Sequence, residues 1–245
     1  LERALSKLGI ASRTTARDWI LSGRVSVNGV VQRDPLLAVN PEKTKIGVDQ
    51  VETKAAESKY FLLHKPKGTV TTHSDEKGRP TVFDLLAVEK RHLIAAGRLD
   101  FATTGVLILT NHTQFAAWLT DPASAIVRTY IVTVRGRVSD ETLEKLNQTV
   151  FDPKSGSEYH AEKVVLRKAS GKESHLTVYL REGKNREVRN LFQTQGHEVT
   201  KLKRVAFGEL ELKDLPAGQY RELSPAELSL VFPAFFKPPR PSGTG

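Results

Sequence analysis

Gly97-Arg98-Leu99-Asp100-Phe101-Ala102-Thr103-Thr104-Gly105 runs directly into Val106-Leu107-Ile108-Leu109, and the reading of this stretch decides the fold. The wholly apolar run predicts a strand buried on both faces. The residues before it must then form a loop that enters the core, bent at glycines that tolerate backbone angles closed to other residues. Arg98 and Asp100 lie on that loop, at the mouth of the buried strand. A carboxylate placed there is partly stripped of water and can meet a reacting atom, while the arginine two residues earlier can meet a polyanion. The same spacing also suits a turn closed by a surface ion pair, the commoner use of an Arg/Asp pair.

Composition narrows the partners. The chain has 245 residues, 39% of them hydrophobic, enough for a sizeable core and more than one domain. Its 37 Lys and Arg against 28 Asp and Glu leave a net charge of +9, which favours a polyanionic partner: nucleic acid first, an anionic membrane surface second. The absence of cysteine removes disulfides, thiol nucleophiles and Cys-ligated zinc together. No apolar run reaches membrane-spanning length and no signal segment opens the chain, so a cytoplasmic protein with no membrane partner is expected. With no methionine, position 1 included, the natural start is expected to be missing.

The first 57 residues read as a compact basic module. Leu1, Ala4, Leu5 and Leu8 recur at helical spacing up to Gly9, and Ser12 can cap a second helix that turns Ala16, Trp19 and Ile20 inward and stops at Gly23. Arg13 and Arg17 lie one turn apart on that helix and Arg24 follows it. Val25-Ser26-Val27 then meets Asn28-Gly29, a strong hairpin signal. A last hairpin and a polar linker through Thr53-Lys54-Ala55-Ala56-Glu57-Ser58 follow.

Further on, Tyr60-Phe61-Leu62-Leu63 predicts a buried strand, and His64-Lys65-Pro66-Lys67-Gly68 predicts a loop displaying both lysines. Arg79-Pro80-Thr81-Val82-Phe83 opens a short helix, and Phe115 to Leu119 reads as another, stopped before Pro122. Arg128-Thr129-Tyr130-Ile131-Val132-Thr133-Val134 alternates as a strand with Tyr130, Val132 and Val134 on one face. A helix opens at Ser139, a polar loop covers 152–157, and two strands flank Ser170-Gly171-Lys172. Gly183-Lys184-Asn185-Arg186-Glu187-Val188-Arg189 is a glycine turn feeding a helix, with Arg186 and Arg189 near its start. Val199 to Gly208 then reads as a strand carrying Lys201, Lys203 and Arg204.

Several of these stretches carry a resemblance. Gly97-Arg98-Leu99-Asp100 with Thr103, Gly105 and Thr110-Asn111 resembles the central motif of bacterial rRNA pseudouridine synthases of the RsuA/RluB type. Leu8-Gly9-Ile10-Ala11-Ser12-Arg13, Gly23-Arg24-Val25 and Val27-Asn28-Gly29 resemble the S4 RNA-binding domain, and Gly183 to Arg189 the catalytic family's third motif. The resemblance spans residues 1–230. It implies an α+β protein: an S4-like module at 1–57, then a pseudouridine synthase domain at 58–232 built on a mixed, largely antiparallel sheet with flanking helices. A disordered basic tail at 233–245 follows from composition.

The resemblance also assigns residues. Asp100 is the catalytic carboxylate, Arg189 its cationic partner, and Tyr130 the ring lying against the target uracil. Leu202 packs near the base, Arg98 fills the space that an extruded base leaves, and Lys65 and Arg186 contact substrate; the strand cations Lys201, Lys203 and Arg204 read as lining the RNA path, with Lys203 in contact with substrate. Ser12, Arg13, Arg17 and Arg24 mark the RNA-binding face of the S4-like module. His64 stands where the family more often has Asn and receives no role. The implied reaction isomerises uridine to pseudouridine in folded rRNA, free or in an assembling subunit, with no cofactor and no metal, by a monomer. Arg79-Pro80-Thr81-Val82-Phe83 leans toward the large-subunit branch. The other readings are a small-subunit synthase, a non-catalytic rRNA-binding assembly factor, and a glycoside-cleaving enzyme needing a second carboxylate.

Overall fold

The computed structural model describes residues 1–41, 43–53, 57–87 and 92–236. Two helices, α1 (Glu2–Lys7) and α2 (Arg13–Leu21), open the chain and pack on a small sheet of β1 (Val25–Val27), β2 (Val30–Gln32), β3 (Ile46–Val48) and β4 (Val51–Glu52). The strand order is β2-β1-β3-β4, all antiparallel. Ser12 caps α2, its Oγ accepting the Thr15 N–H at 3.1 Å. Asn28 and Gly29 both take positive φ, 51° and 83°, as the tight β1–β2 turn demands. Leu5, Ala16, Ile20, Val25 and Ile46 fill the core of this unit. The middle of the expected linker, 54–56, lies outside the described residues.

The second unit is organised by a nine-stranded sheet. Its strands are β5 (Tyr60–Lys65), β6 (Ile94–Ala95), β7 (Thr104–Thr110), β8 (Arg128–Arg135), β11 (Lys163–Ala169), β12 (Glu173–Leu180), β13 (Val199–Phe207), β14 (Leu210–Glu211) and β15 (Tyr220–Glu222). A hairpin of β9 (Val150–Asp152) and β10 (Ser157–Tyr159) stands apart, so the polar loop expected at 152–157 is a tight turn between two short strands. The main order is β11-β12-β8-β13-β7-β5-β15. Flanking helices are α3 (Thr113–Thr120), α4 (Asp140–Leu146), α5 (Glu187–Thr194), α6 (Pro225–Val231) and α7 (Pro233–Phe236).

Burial follows the sequence pattern. β7 is buried along nearly its whole length, with Val106 to Leu109 fully enclosed. α5 turns Val188, Leu191 and Phe192 onto the β8, β12 and β13 face. On the β5–β7 half, Leu62, Val106 and Ile108 meet α3 and α6, while Phe61, Leu63 and Leu107 meet the 3-10 turn Val82–Leu85 on the opposite face.

One pairing places the functional loops. β7 and β13 are parallel neighbours, the exception in an otherwise antiparallel main order. Parallel strands begin at the same end of a sheet. The loop that leads into β7 carries Asp100, and the helix that leads into β13 is α5, which carries Arg189, so the two segments meet although 89 positions separate them. Gly105 makes this pairing possible. Its φ is +120°, and a Cβ there would come within 2.0 Å of the Arg204 carbonyl oxygen.

The chain end departs from expectation. Pro233–Phe236 is a helical turn that packs into the α3 aromatic cluster, the Phe236 ring lying 4.9 Å from Phe115 and 5.6 Å from Tyr60. Aromatic burial outweighs the local proline signal here, so only the remainder of the expected tail, 237–245, lies outside the described residues.

Candidate active site

The Asp100 loop is pinned by backbone contacts from three sides. Gly97, at φ 82°, turns the chain into it, and the Thr103 N–H donates to the Asp100 carbonyl at 3.0 Å. The Gly68 N–H donates to the Phe101 carbonyl at 2.9 Å, and Thr71 Oγ1 to the Leu99 carbonyl at 3.0 Å. Beneath the loop, Lys65 Nζ donates to the carbonyls of Thr103 at 2.9 Å, Asp100 at 3.0 Å and Pro66 at 3.2 Å.

This corrects the reading of Lys65 as a displayed substrate contact. It is the last residue of β5 and is fully buried. The strand runs two positions further than expected, up to the proline, and the lysine turns inward because three carbonyls wait there. Burial pushes its pKa down to about 8, against the pull of the Asp100 charge. Lys67, by contrast, is exposed.

The Asp100 carboxylate is one-third exposed and faces two arginines of the third motif. Its Oδ2 lies 3.8 Å from Arg189 Nε and 3.7 Å from Arg186 Nη1, ion-pair distances longer than hydrogen bonds. Arg189 is held by its own donation from Nη1 to the Val199 carbonyl at 2.9 Å, at the first residue of β13. Burial lowers its pKa, as does Arg186, while Asp100 opposes the shift. Arg186 sits at the N-cap of α5 with φ 53°, a left-handed conformation that costs a non-glycine residue about 1–2 kcal/mol.

Tyr130 and Leu202 come from neighbouring strands. Tyr130 of β8 is opposite Arg204 of β13, and Leu202 is opposite Val132, so Tyr130 and Leu202 share the sheet face that looks into the cleft. Both are nearly buried. The cleft has a volume of about 720 Å³, and Arg98, Asp100, Tyr130, Arg186, Leu202 and Arg204 are among the residues lining it. The Arg98 side chain is exposed at its edge and forms no hydrogen bond or ion pair with the described residues.

Lys203 does not join them. Strand alternation turns it away from the face that carries Leu202 and Arg204, toward its exposed partner Ile131, and it is absent from the cleft wall. The parity that brings Leu202 inward excludes Lys203. The structure therefore contradicts its expected substrate contact.

Two buried charged residues, Arg128 and Glu187, escaped the sequence reading as site components, and a third, Arg204, expected along the RNA path, is buried. Arg128 donates to the Leu119 carbonyl at 3.0 Å and to the Arg181 carbonyl, and lies over the Phe207 ring at 5.0 Å. It ties α3, β8 and the end of β12 together at the cleft wall. Arg204 Nε donates to the Val106 carbonyl at 2.8 Å across the parallel pair. Glu187 accepts the Lys184 N–H at 3.1 Å, and burial raises its pKa. Parity with Tyr130 and Leu202 marked Arg128 and Arg204; nothing local marked Glu187.

The basic residues of the first unit are placed on its surface but are internally paired. Arg13 and Arg17 both bind the buried Glu2 carboxylate, at 2.9 and 3.0 Å, with their side chains 60% and 53% exposed. Arg24 bridges Asp49 at 2.5 Å and lies 5.0 Å from the Trp19 ring. Ser12 is engaged as a helix cap.

Known protein families account for both units. An RNA pseudouridylate synthase model matches residues 59–194, and an S4 domain model matches residues 1–44. The chain belongs to the RNA pseudouridylate synthase family. It is accordingly an isomerase with an S4 domain ahead of its catalytic fold. Ribosomal large subunit pseudouridine synthase B of Bacillus subtilis (strain 168) is 35% identical over 228 residues, which cover 93% of each protein. An uncharacterized RNA pseudouridine synthase of Aquifex aeolicus (strain VF5) is 33% identical, over 96% of this chain and 94% of that one. A crystal structure of a pseudouridylate synthase shares the fold, with a TM-score of 0.66 and 24% identity over 94% of this chain and 97% of that one. Among the described residues no helix is long and apolar enough to cross a membrane, and no group of His, Cys, Asp and Glu is placed to hold a metal ion.

Proposed function

We propose that this pseudouridine synthase isomerises a uridine of large-subunit rRNA, with Asp100 as the catalytic carboxylate. The observation that carries the reading is the meeting of Asp100 with Arg189 and Arg186 at the mouth of a cleft walled by Tyr130 and Leu202. The name borne by the Bacillus subtilis relative supports the large subunit as the source of substrate.

The reaction rearranges one nucleotide. The C1′–N1 bond breaks, the freed uracil turns within the cleft, C5 bonds to C1′, and the C5 proton leaves as N1 gains one. Asp100 supplies a carboxylate at the sugar, by attack on C1′ or by removal of a ribose proton. Arg189, anchored at Val199, orients that carboxylate and keeps charge beside it. Tyr130 stacks on the uracil and Leu202 covers its other side. Turning the uridine out of the RNA costs on the order of a few kcal/mol, and Arg98, unpaired at the cleft edge, occupies the vacated position. The S4 unit, 1–57, adds phosphate contacts through Arg13, Arg17 and Arg24, whose affinity falls with salt; the catalytic unit is 58–232.

Asp100→Asn tests the assignment. It retains RNA binding and lowers turnover by roughly 10⁴-fold or more, as loss of a catalytic group does, measured as tritium released from C5-labelled uridine in rRNA. Substantial pseudouridine formed by this variant refutes the role. Release of free uracil by the wild type refutes the isomerase reading in favour of glycoside cleavage.

A further inference from the structure

Phe101 follows the Asp100 carboxylate directly in the chain, yet it is 43% exposed and belongs to none of the apolar clusters of the two units. Single exposed apolar side chains are ordinary. Of the two phenylalanines exposed among the described residues, Phe101 and Phe151, it alone has a guanidinium over its ring. That group belongs to Arg79 and lies 5.6 Å from the ring centroid, while the Gly68 N–H fixes the Phe101 carbonyl at 2.9 Å. Neither Phe101 nor Arg79 lines the cleft, so neither touches the everted base.

Arg79 is itself fastened. Its Nε and Nη2 donate to the Asp75 carboxylate at 3.0 and 2.6 Å, and the same carboxylate accepts the backbone N–H groups of Lys77 at 3.1 Å and Arg79 at 3.0 Å. Residues 75–79 thus close around one nearly buried carboxylate. The chain just before them is tied to the Asp100 loop, since Thr71 Oγ1 donates to the Leu99 carbonyl. Asp75 answers the arginine's charge and leaves Nη1 without a hydrogen bond to the described residues, on a side chain 43% exposed. None of Arg79 to Phe83, a stretch that stood out in the sequence, takes part in the cleft wall.

A ring backed by a guanidinium, pinned to a braced loop and open to solvent, is a surface on which a nucleobase stacks. RNA brings such a base to this place. Turning one uridine outward strips each neighbour of a stacking partner, and Arg98 fills the vacated gap itself. Phe101 lies three residues further along the same loop, just outside the cleft, with its Cα about 3.8 Å from that of Asp100. Resting on the functional reading above, we infer that Phe101, backed by Arg79, is a stacking platform for a nucleotide adjacent to the everted uridine. A platform of this kind meets the face of the base, so it accepts any base. With Arg79 already paired to Asp75, the contact has little ionic character.

The test removes the platform and the base upon it separately. Mapping pseudouridine in a large-subunit rRNA transcript treated with the wild type locates the modified uridine. Synthetic hairpins spanning it then carry either the full sequence or one abasic residue, 5′ or 3′ of that uridine. Both kcat and KM are measured for the wild type, Phe101→Leu and Phe101→Trp, with thermal midpoints alongside. On the full hairpin Phe101→Leu loses about 10-fold in kcat/KM, chiefly through KM, the scale of one base–aromatic stack, and Phe101→Trp recovers most of it. The wild type loses a similar factor on one of the abasic hairpins, where Phe101→Leu loses nothing further. The slope of log affinity against log salt stays at the wild-type value in Phe101→Leu, unlike the loss of a phosphate contact. A ring that only braces the Asp100 loop lowers kcat by one factor on every hairpin, and that result overturns the inference. A leucine variant with wild-type kcat/KM overturns it too. Should Phe101→Leu fail to fold, the wild type alone still decides: a penalty on one abasic hairpin supports the platform, and indifference to both removes it. Absence of pseudouridine from the treated transcript defeats the underlying functional reading instead.

Discussion

Raising the pH through about 8 deprotonates Lys65, and the effects on stability and catalysis run in opposite directions. In the folded protein this lysine gives up its proton near pH 8, against an ordinary value of 10.5. Between those values the unfolded chain holds the extra proton, so the contribution of Lys65 to stability rises with pH across that window. The gap corresponds to at most ~3 kcal/mol at about 1.36 kcal/mol per pKa unit. Catalysis moves the other way. The ammonium serves three carbonyls, among them those of Asp100 and Thr103, and a neutral amine has only two hydrogens to offer them. Loss of one charge-assisted bond weakens the loop anchor by about 1–2 kcal/mol. The expected wild-type kcat is flat to about pH 7.5 and lower by up to ~10-fold at pH 9, with no parallel drop in the thermal midpoint. Single-turnover pseudouridine formation on an rRNA transcript, with thermal unfolding followed in the same buffers, measures both. Lys65→Met has a low kcat at every pH, and any alkaline limb that it keeps belongs to the RNA. A wild-type kcat level through pH 9, or a methionine variant with the wild-type profile, refutes the anchoring argument.

Gly105→Ala places a methyl group 2.0 Å from the Arg204 carbonyl oxygen at φ +120°. It is expected to separate β7 from β13 and to cost about 3 kcal/mol or more, read as a fall in the chemical-denaturation midpoint. Arg13→Ala and Arg17→Ala each weaken rRNA binding at low salt and reduce the slope of log affinity against log salt by roughly one. Filter binding at several salt concentrations shows this, and an unchanged slope in the double variant removes this face from the RNA contact.

Much of the architecture was legible in the sequence because it is written in local terms. Val106 to Leu109 declared a buried strand by being apolar throughout, Asn28-Gly29 a tight turn by its demand for positive φ, and Ser12 a helix start by its hydroxyl. The family resemblance added the residue roles, and the match over residues 59–194 bears out the family itself. Misread residues share a cause: their direction depends on strands distant in sequence. Lys65 turns inward because three carbonyls gather beneath the Asp100 loop, and Lys203 turns outward because Leu202 faces the cleft. Pro233–Phe236 folds because Phe115 and Tyr60 offer a place for Phe236.

From its residues alone this chain determined its elements, its basic character and the loop that bears Asp100, since periodicity, turn chemistry and charge act over a few neighbours. Tertiary structure brought Arg189, the partner that the family resemblance had assigned, to that carboxylate and set Arg186 beside it. The parallel register of β7 against β13 brings the segments before both strands to one end of the sheet, and no local pattern encodes the sense in which two distant strands run. The same register buries Arg204 with an unanswered donor, a consequence visible only once every neighbour of that side chain is in place.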